Sequence, residues 1–268
     1  MKEYPALSAL RLGCVRYLNS EPLIHGLPQV ELAHPAVLAQ RLRAGNLDIA
    51  LVPVFELLRS PASYWMVQGI GIASEGPVYS VFVAHTAPLQ DVRAVLADPA
   101  SLTSIHLFQL LARSYLQRDL PLLPRDQDAP PPTPDPALAQ LWIGNQALEF
   151  RLRHGEEGMH YWDLGEAWRA WTGLPFVYAV WVIRRDIDEA RARSAAYELR
   201  ALADCGIAAI PRIANAQPLH WRQMAAEYLT RYIRFRLGES EMRGLERFST
   251  ELEQAGFLTS GRGKRRCL

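Results

Sequence analysis

The chain has 268 residues, 49% of them apolar, and its 29 basic and 28 acidic side chains leave a formal charge of +1. That length holds one large domain or two smaller ones, and the apolar fraction excludes global disorder. The near-zero charge gives no electrostatic footprint for nucleic acid or an anionic membrane surface.

Residues 10–15 read as a strand, 22–27 as a short helix opened by Pro22, and 30–33 as a second strand. A helix over 34–43 follows, with Val37, Leu38 and Leu42 on one face and Gly45 just past its end. Residues 48–52 (Asp-Ile-Ala-Leu-Val) have the character of a strand buried on both faces of a parallel sheet. Gly69 and Gly71 resemble part of a dinucleotide fingerprint, but no helix pattern follows, so they read as turn punctuation. Two long strands, 78–84 and 176–183, mix aromatic and β-branched residues. Between them the pattern predicts a strand over 94–97, a helix over 101–116, a strand over 141–143, and helices over 146–152 and 166–171. After 183 the chain turns helical, with Asp186 and Glu189 as a capping box and further helices over 218–237 and 241–253. Residues 121–136 carry seven prolines and read as an exposed loop, and the basic stretch 261–266 as a solvated tail.

Strand–helix–strand spacing argues for an α/β fold. With two long strands as crossings it becomes two lobes around a ligand cleft: residues 1–84 with 184–268 in the first, 85–183 in the second. Cys14, Cys205 and Cys267 have no metal or redox spacing, which points to a reducing compartment. No segment has the pattern of a signal peptide or a membrane-spanning helix, so the expected location is the cytoplasm, with no membrane partner.

HExxH, GxSxG and P-loop patterns are absent, and the seven histidines show no ligand spacing; neither a metal nor a nucleotide is implied. Four segments carry the polar chemistry. Arg16-Tyr17-Leu18-Asn19-Ser20-Glu21-Pro22 lies at the carboxyl end of a strand, where ligands of open α/β sheets bind, although Asn19 or Ser20 also suits a helix cap. Residues 98–104 place Ser101, Thr103 and Ser104 at a helix start, which makes either an anion site or a plain cap. In 76–82, strand alternation puts Ser80, a candidate cleft donor, on the face opposite to Tyr79, which equally suits the core with its hydroxyl satisfied. In 163–181, Asp163 and Glu166 suit an acid, a base or a helix-start carboxylate, and Trp168, Trp171, Trp181 and Phe176 read as packing.

CVRYLNSEPL (14–23), GNLDIALVPVFELL (45–58), IASEGPVYSVF (72–82), DPASLTS (98–104) and DLGEAWRAWTGLPFVYAVW (163–181), in this order, resemble the chorismate dehydratases of the futalosine route to menaquinone. The resemblance spans nearly the whole chain and implies a fold similar to type 2 periplasmic binding proteins. It implies that chorismate, a dicarboxylate, loses water to give 3-[(1-carboxyvinyl)oxy]benzoate, a carbon–oxygen lyase reaction that aromatisation drives without cofactor or metal. Asn19 would contact the reacting ring or its side chain, and Asp163 or Glu166 would serve as the base, unless a carboxylate of the substrate does. Thr103 and Ser104 would hold a carboxylate, Arg16 would neutralise one, and Ser20, Ser80, Asn145 and Tyr178 would line the cleft. The sister dihydroxynaphthoate synthases carry a histidine where this chain has Ile143-Gly144-Asn145, which favours the dehydratase; the family tends to Gly-Asp there, so Asn145 is a departure. A carboxylate-binding module of the same fold is the rival reading. The helical face over 218–253 leaves a homodimer open.

Overall fold

The computed structural model describes residues 4–27, 29–98, 101–125, 135–155, 157–259 and 265–268. Its elements open with α1 (Pro5–Ser8), β1 (Leu12–Val15), α2 (Glu21–Ile24), β2 (Glu31–Ala33), α3 (Pro35–Arg43), β3 (Ile49–Pro53), α4 (Val54–Arg59) and β4 (Tyr64–Ser74). There follow β5 (Val81–His85), β6 (Ala94–Ala97), α5 (Leu102–Leu110), β7 (Leu122–Pro124), β8 (Leu138–Ile143), α6 (Gly144–His154), β9 (His160–Asp163) and α7 (Leu164–Thr172). The chain closes with β10 (Phe176–Arg184), α8 (Glu189–Ala208), α9 (Ile210–Ala216), α10 (Arg222–Glu227), β11 (Arg234–Arg236), α11 (Glu239–Gln254) and β12 (Arg266–Cys267).

These strands form two sheets, one per lobe. The first runs β11-β4-β10-β3-β1-β2, with β12 also paired to β4. Every residue of β1 and β3 is buried, which is why both read as unbroken apolar runs. β10 lies antiparallel between β3 and β4. The second sheet, β7-β6-β8-β5-β9, is drawn wholly from the stretch between the first sheet's β4 and β10. The aromatic run after Asp163 is packing, as expected. Trp168 of α7 meets Phe176 of β10 edge-on at 5.2 Å and Phe248 of α11 at 5.9 Å, and its indole N–H donates to the Pro175 carbonyl. No helix among the described residues is long and apolar enough to cross a membrane.

Several expectations are corrected. Residues 81–84, placed in the first lobe, pair within the second sheet, and 176–183, placed in the second lobe, form a central strand of the first. The crossings are instead residues 75–80 and the stretch through α7 to β10. A run of β-branched and aromatic residues announces a strand but not the sheet it joins. Gly69 and Gly71 lie inside the eleven-residue β4, where the register with β10 is irregular, and not in a turn. The cap of α8 is Asp188, which accepts from the amides of Ala190 and Arg191, while Asp186 pairs with Arg184. The helix over 101–116 ends as a π turn at Leu111–Tyr115, and 218–237 breaks into α10, a π turn at Tyr228–Tyr232, and β11. The proline-rich stretch contributes the edge strand β7; residues 126–134 of it, and 261–264 of the tail, lie outside the described residues.

Candidate active site

A cavity of about 610 Å3, counted out to open solvent, lies between the two sheets. The first lobe supplies Tyr17 and Asn19 from the loop after β1, Pro53 from the end of β3, and Tyr178 from β10. The crossing supplies Ser80, and the second lobe supplies Ser101, Thr103 and Ser104 from the start of α5. It thus opens at the carboxyl ends of the parallel strands β1 and β3, where α/β sheets hold ligands. Among the described residues, no acidic, basic or histidine side chain lines it.

The polar groups are arranged for an anion with a hydroxyl group. Ser101 occupies the N-cap of α5 but makes no side-chain capping bond, so it does not compete for the first-turn amides. Those amides, at the positive end of a nine-residue helix, suit a carboxylate. Thr103 Oγ1 accepts from the Phe55 amide at 3.2 Å, leaving its own proton to donate. Burial pushes Tyr17 up to about 12 and Tyr178 well above the usual phenol value, so both stay protonated donors. The Asn19 amide nitrogen donates to the Tyr228 hydroxyl at 2.9 Å, and that hydroxyl lies 2.7 Å from Ser80 Oγ. Asn19 Oδ1 is buried and has no partner in the protein. A buried acceptor without a partner is costly unless a ligand completes it.

Of the sequence-predicted residues, Asn19, Ser80, Thr103, Ser104 and Tyr178 meet in this cavity. The others are placed elsewhere. Arg16 is exposed and outside the lining. Ser20 is buried, its hydroxyl donating to the carbonyls of Val15 and Tyr17; neither it nor Asn19 caps the following helix. Asn145 accepts from the Leu18 amide at 2.8 Å and so ties α6 to the loop that carries Asn19.

Asp163 does not suit the base. It is 4% exposed, caps α7 through the amides of Gly165 and Glu166, and accepts from the amides of Val78 and Tyr79 in the first crossing. Burial raises its carboxyl above the usual range, and the backbone donors offset only part of that. It staples the two crossings together. They approach so closely that a Cβ on Gly165 would sit 2.5 Å from the Gly76 carbonyl oxygen. Glu166 is exposed, and with Asp163 it lines a second cavity beside Arg151 and Tyr79, on the crossings but apart from the first. Sequence reasoning missed Tyr228, which sits in a helical stretch with no signal to mark it, and Tyr17, which stood inside the Arg16–Pro22 segment without being singled out. Among the described residues, no group of three or more His, Cys, Asp or Glu side chains is placed to hold a metal ion.

Two lobes, two crossings and a cavity between them define a periplasmic-binding-protein-like fold. A protein from Archaeoglobus fulgidus superposes with a TM-score of 0.68 over 93% of this chain and 98% of its own, at 15% identity. A Candida albicans protein described as exhibiting the generic periplasmic binding protein fold gives 0.59 over 94% of this chain and 91% of its own, at 13% identity. Residues 10–254 match the family described as menaquinone biosynthesis, and the chain belongs to that family. A chorismate dehydratase from Thermus thermophilus is 28% identical over 90% of this chain and 94% of its own length.

Proposed function

We propose that the chain is a chorismate dehydratase, a carbon–oxygen lyase that converts chorismate into 3-[(1-carboxyvinyl)oxy]benzoate and water. The observation that carries the reading is the pairing, in one uncharged cavity, of an unpartnered Asn19 acceptor with the hydroxyls and first-turn amides of α5. The similarity to the Thermus enzyme supports it. Chorismate presents carboxylates for the helix start and a ring hydroxyl for Asn19. The cytoplasm is the compartment of such a biosynthetic step.

The elimination removes the proton at C3 and the hydroxyl at C4. The C3–H electron pair enters the ring, the C4–O bond breaks, and the ring becomes aromatic. No electrons enter or leave overall, so the balance calls for no redox partner. The described lining residues include no carboxylate or imidazole, and the base in this reading is the substrate's own enolpyruvyl carboxylate, which takes the C3 proton. The protein's work is then to fix the ring and that carboxylate relative to each other and to favour charge developing on the departing oxygen.

The test is to mix the purified protein with chorismate, without added metal or cofactor, and follow products by mass. Loss of one water at a rate above the enzyme-free control is the expected result. Chorismate bound but unchanged would instead favour a binding module of the same fold.

A further inference from the structure

Tyr228 opens the π turn at Tyr228–Tyr232 and is 1% exposed. Its hydroxyl meets two groups, Asn19 Nδ2 at 2.9 Å and Ser80 Oγ at 2.7 Å. A phenol has one proton to give and lone pairs to receive with. An amide nitrogen only donates, so Asn19 Nδ2 takes a lone pair of the Tyr228 oxygen. The Tyr228 proton then goes to Ser80 Oγ, because a buried donor left without an acceptor is costly. Ser80 Oγ accepts in that bond, which leaves its own proton for the cavity it lines. That bond uses one of the two N–H groups of Asn19 and fixes which end of its amide faces Tyr228, leaving Oδ1 as the acceptor without a protein partner.

We infer that Tyr228 is a positioning residue that sets the polarity of the site, presenting Asn19 as an acceptor and Ser80 as a donor to the same substrate hydroxyl. The inference rests on the dehydratase reading and deepens it. A hydroxyl both gives and takes a hydrogen bond, so its proton engages Asn19 Oδ1 while its oxygen receives the Ser80 proton. On chorismate this is the C4 hydroxyl, the group that leaves. Negative charge grows on that oxygen as the C4–O bond stretches, so the bond from Ser80 strengthens in the transition state. Tyr228 orients the pair and keeps its own proton, since burial lifts its pKa far above that of an ordinary phenol. The C3 proton held by the substrate carboxylate and the departing hydroxide together make the water.

Three variants test this: Tyr228→Phe, Ser80→Ala and the double substitution. Each is measured for kcat and KM with chorismate, for affinity toward the product, and for its unfolding temperature. The product retains the carboxylates but has lost the hydroxyl. Tyr228→Phe is expected to lower kcat about tenfold or more while KM moves less than about threefold. Product affinity stays at the wild-type level, and the double variant loses less than the product of the two single losses, because Tyr228 acts partly through Ser80 and partly through Asn19. Wild-type kcat in Tyr228→Phe, fully multiplicative losses, or a parallel fall in kcat, product affinity and unfolding temperature would each overturn the assignment. If Tyr228→Phe does not fold, Ser80→Thr against Ser80→Ala reads the same chain: the variant that keeps a hydroxyl retains turnover, and equal loss in both overturns the assignment. Wild-type protein inert toward chorismate is a separate result, which removes the dehydratase reading itself.

Discussion

At the scale of single residues, Asn19 separates binding chemistry from folding. It makes no capping bond to α2, and its oxygen has no protein partner. Asn19→Ala should therefore lower kcat about 100-fold, the cost of losing orientation at a reacting group, while the unfolding temperature falls by only a few degrees. A matched loss of both would make the residue structural. Thr103 accepts from the Phe55 amide and keeps a hydroxyl proton beside the cavity it lines. Thr103→Val combined with Ser104→Ala should raise KM for chorismate about tenfold, roughly one charge-assisted hydrogen bond, with kcat much less affected; an unchanged KM would remove the anion site from α5. The sequence made these residues legible because strand ends and helix starts are readable from local pattern. It left the choice between base and helix-start carboxylate open at Asp163, and Tyr228 unseen. A carboxylate at a helix start looks the same whether it faces a ligand or four backbone amides, and Tyr228 gains its meaning from partners far away in the chain.

Elements add constraints that no single site carries. The alanine-rich face of α8 lets α2 approach so closely that a Cβ on Gly206 would lie 1.7 Å from the Pro22 carbonyl oxygen. Backbone does not yield as a side chain does, so Gly206→Ala should cost about 3 kcal/mol in denaturant unfolding; a change under about 0.5 kcal/mol would mean that α2 shifts freely. α5 carries His106, whose ring stacks on Phe55 of α4 at 3.6 Å. Burial lowers the His106 pKa below its usual value, against a smaller opposing effect of its bond to the Leu102 carbonyl. The unfolded chain then binds a proton that the folded chain refuses, so this contribution is full above about pH 6.5 and declines as pH falls below it. His106→Phe keeps an aromatic ring there and removes the titration. Its unfolding temperature should fall less than that of the wild type between about pH 7.5 and about pH 5.5, and equal falls would place the acid sensitivity elsewhere, for example at the similarly depressed His85. Strands and helices with strong periodicity were legible. β4 was not, because Gln68, Gly69 and Gly71 interrupt its pattern, and neither was the break at Tyr228, where a shift from α to π hydrogen bonding leaves the apolar spacing almost unchanged.

For the whole molecule, the lobes meet through the two crossings and through bonds that span the cleft. Leu18 donates to Asn145, Phe55 donates to Thr103, and Tyr228 joins Asn19 to Ser80. Asn145→Ala removes one such link without touching the cavity lining. The ligand-free variant should show a larger radius of gyration in solution scattering than the wild type, and substrate should restore the compact value. An unchanged radius would mean that the remaining links hold the lobes by themselves. The two-lobed plan was legible from the alternation of strands and helices, whereas the allocation of strands to lobes was not, since it depends on pairing across distant stretches of chain.

That allocation also sets an order of events during synthesis. The second sheet is one continuous stretch of chain, complete as soon as β9 is made, but β3 and β4 await β10, which lies beyond the whole of the second lobe. At typical elongation rates the interval from Ser74 to Phe176 lasts roughly 5–20 s. Throughout it the apolar strand β3 has no partner on the side that β10 will occupy. The nascent chain thus carries a finished second lobe beside an open sheet edge, and the ribosome-bound intermediate is the stage at which this protein is most exposed to aggregation.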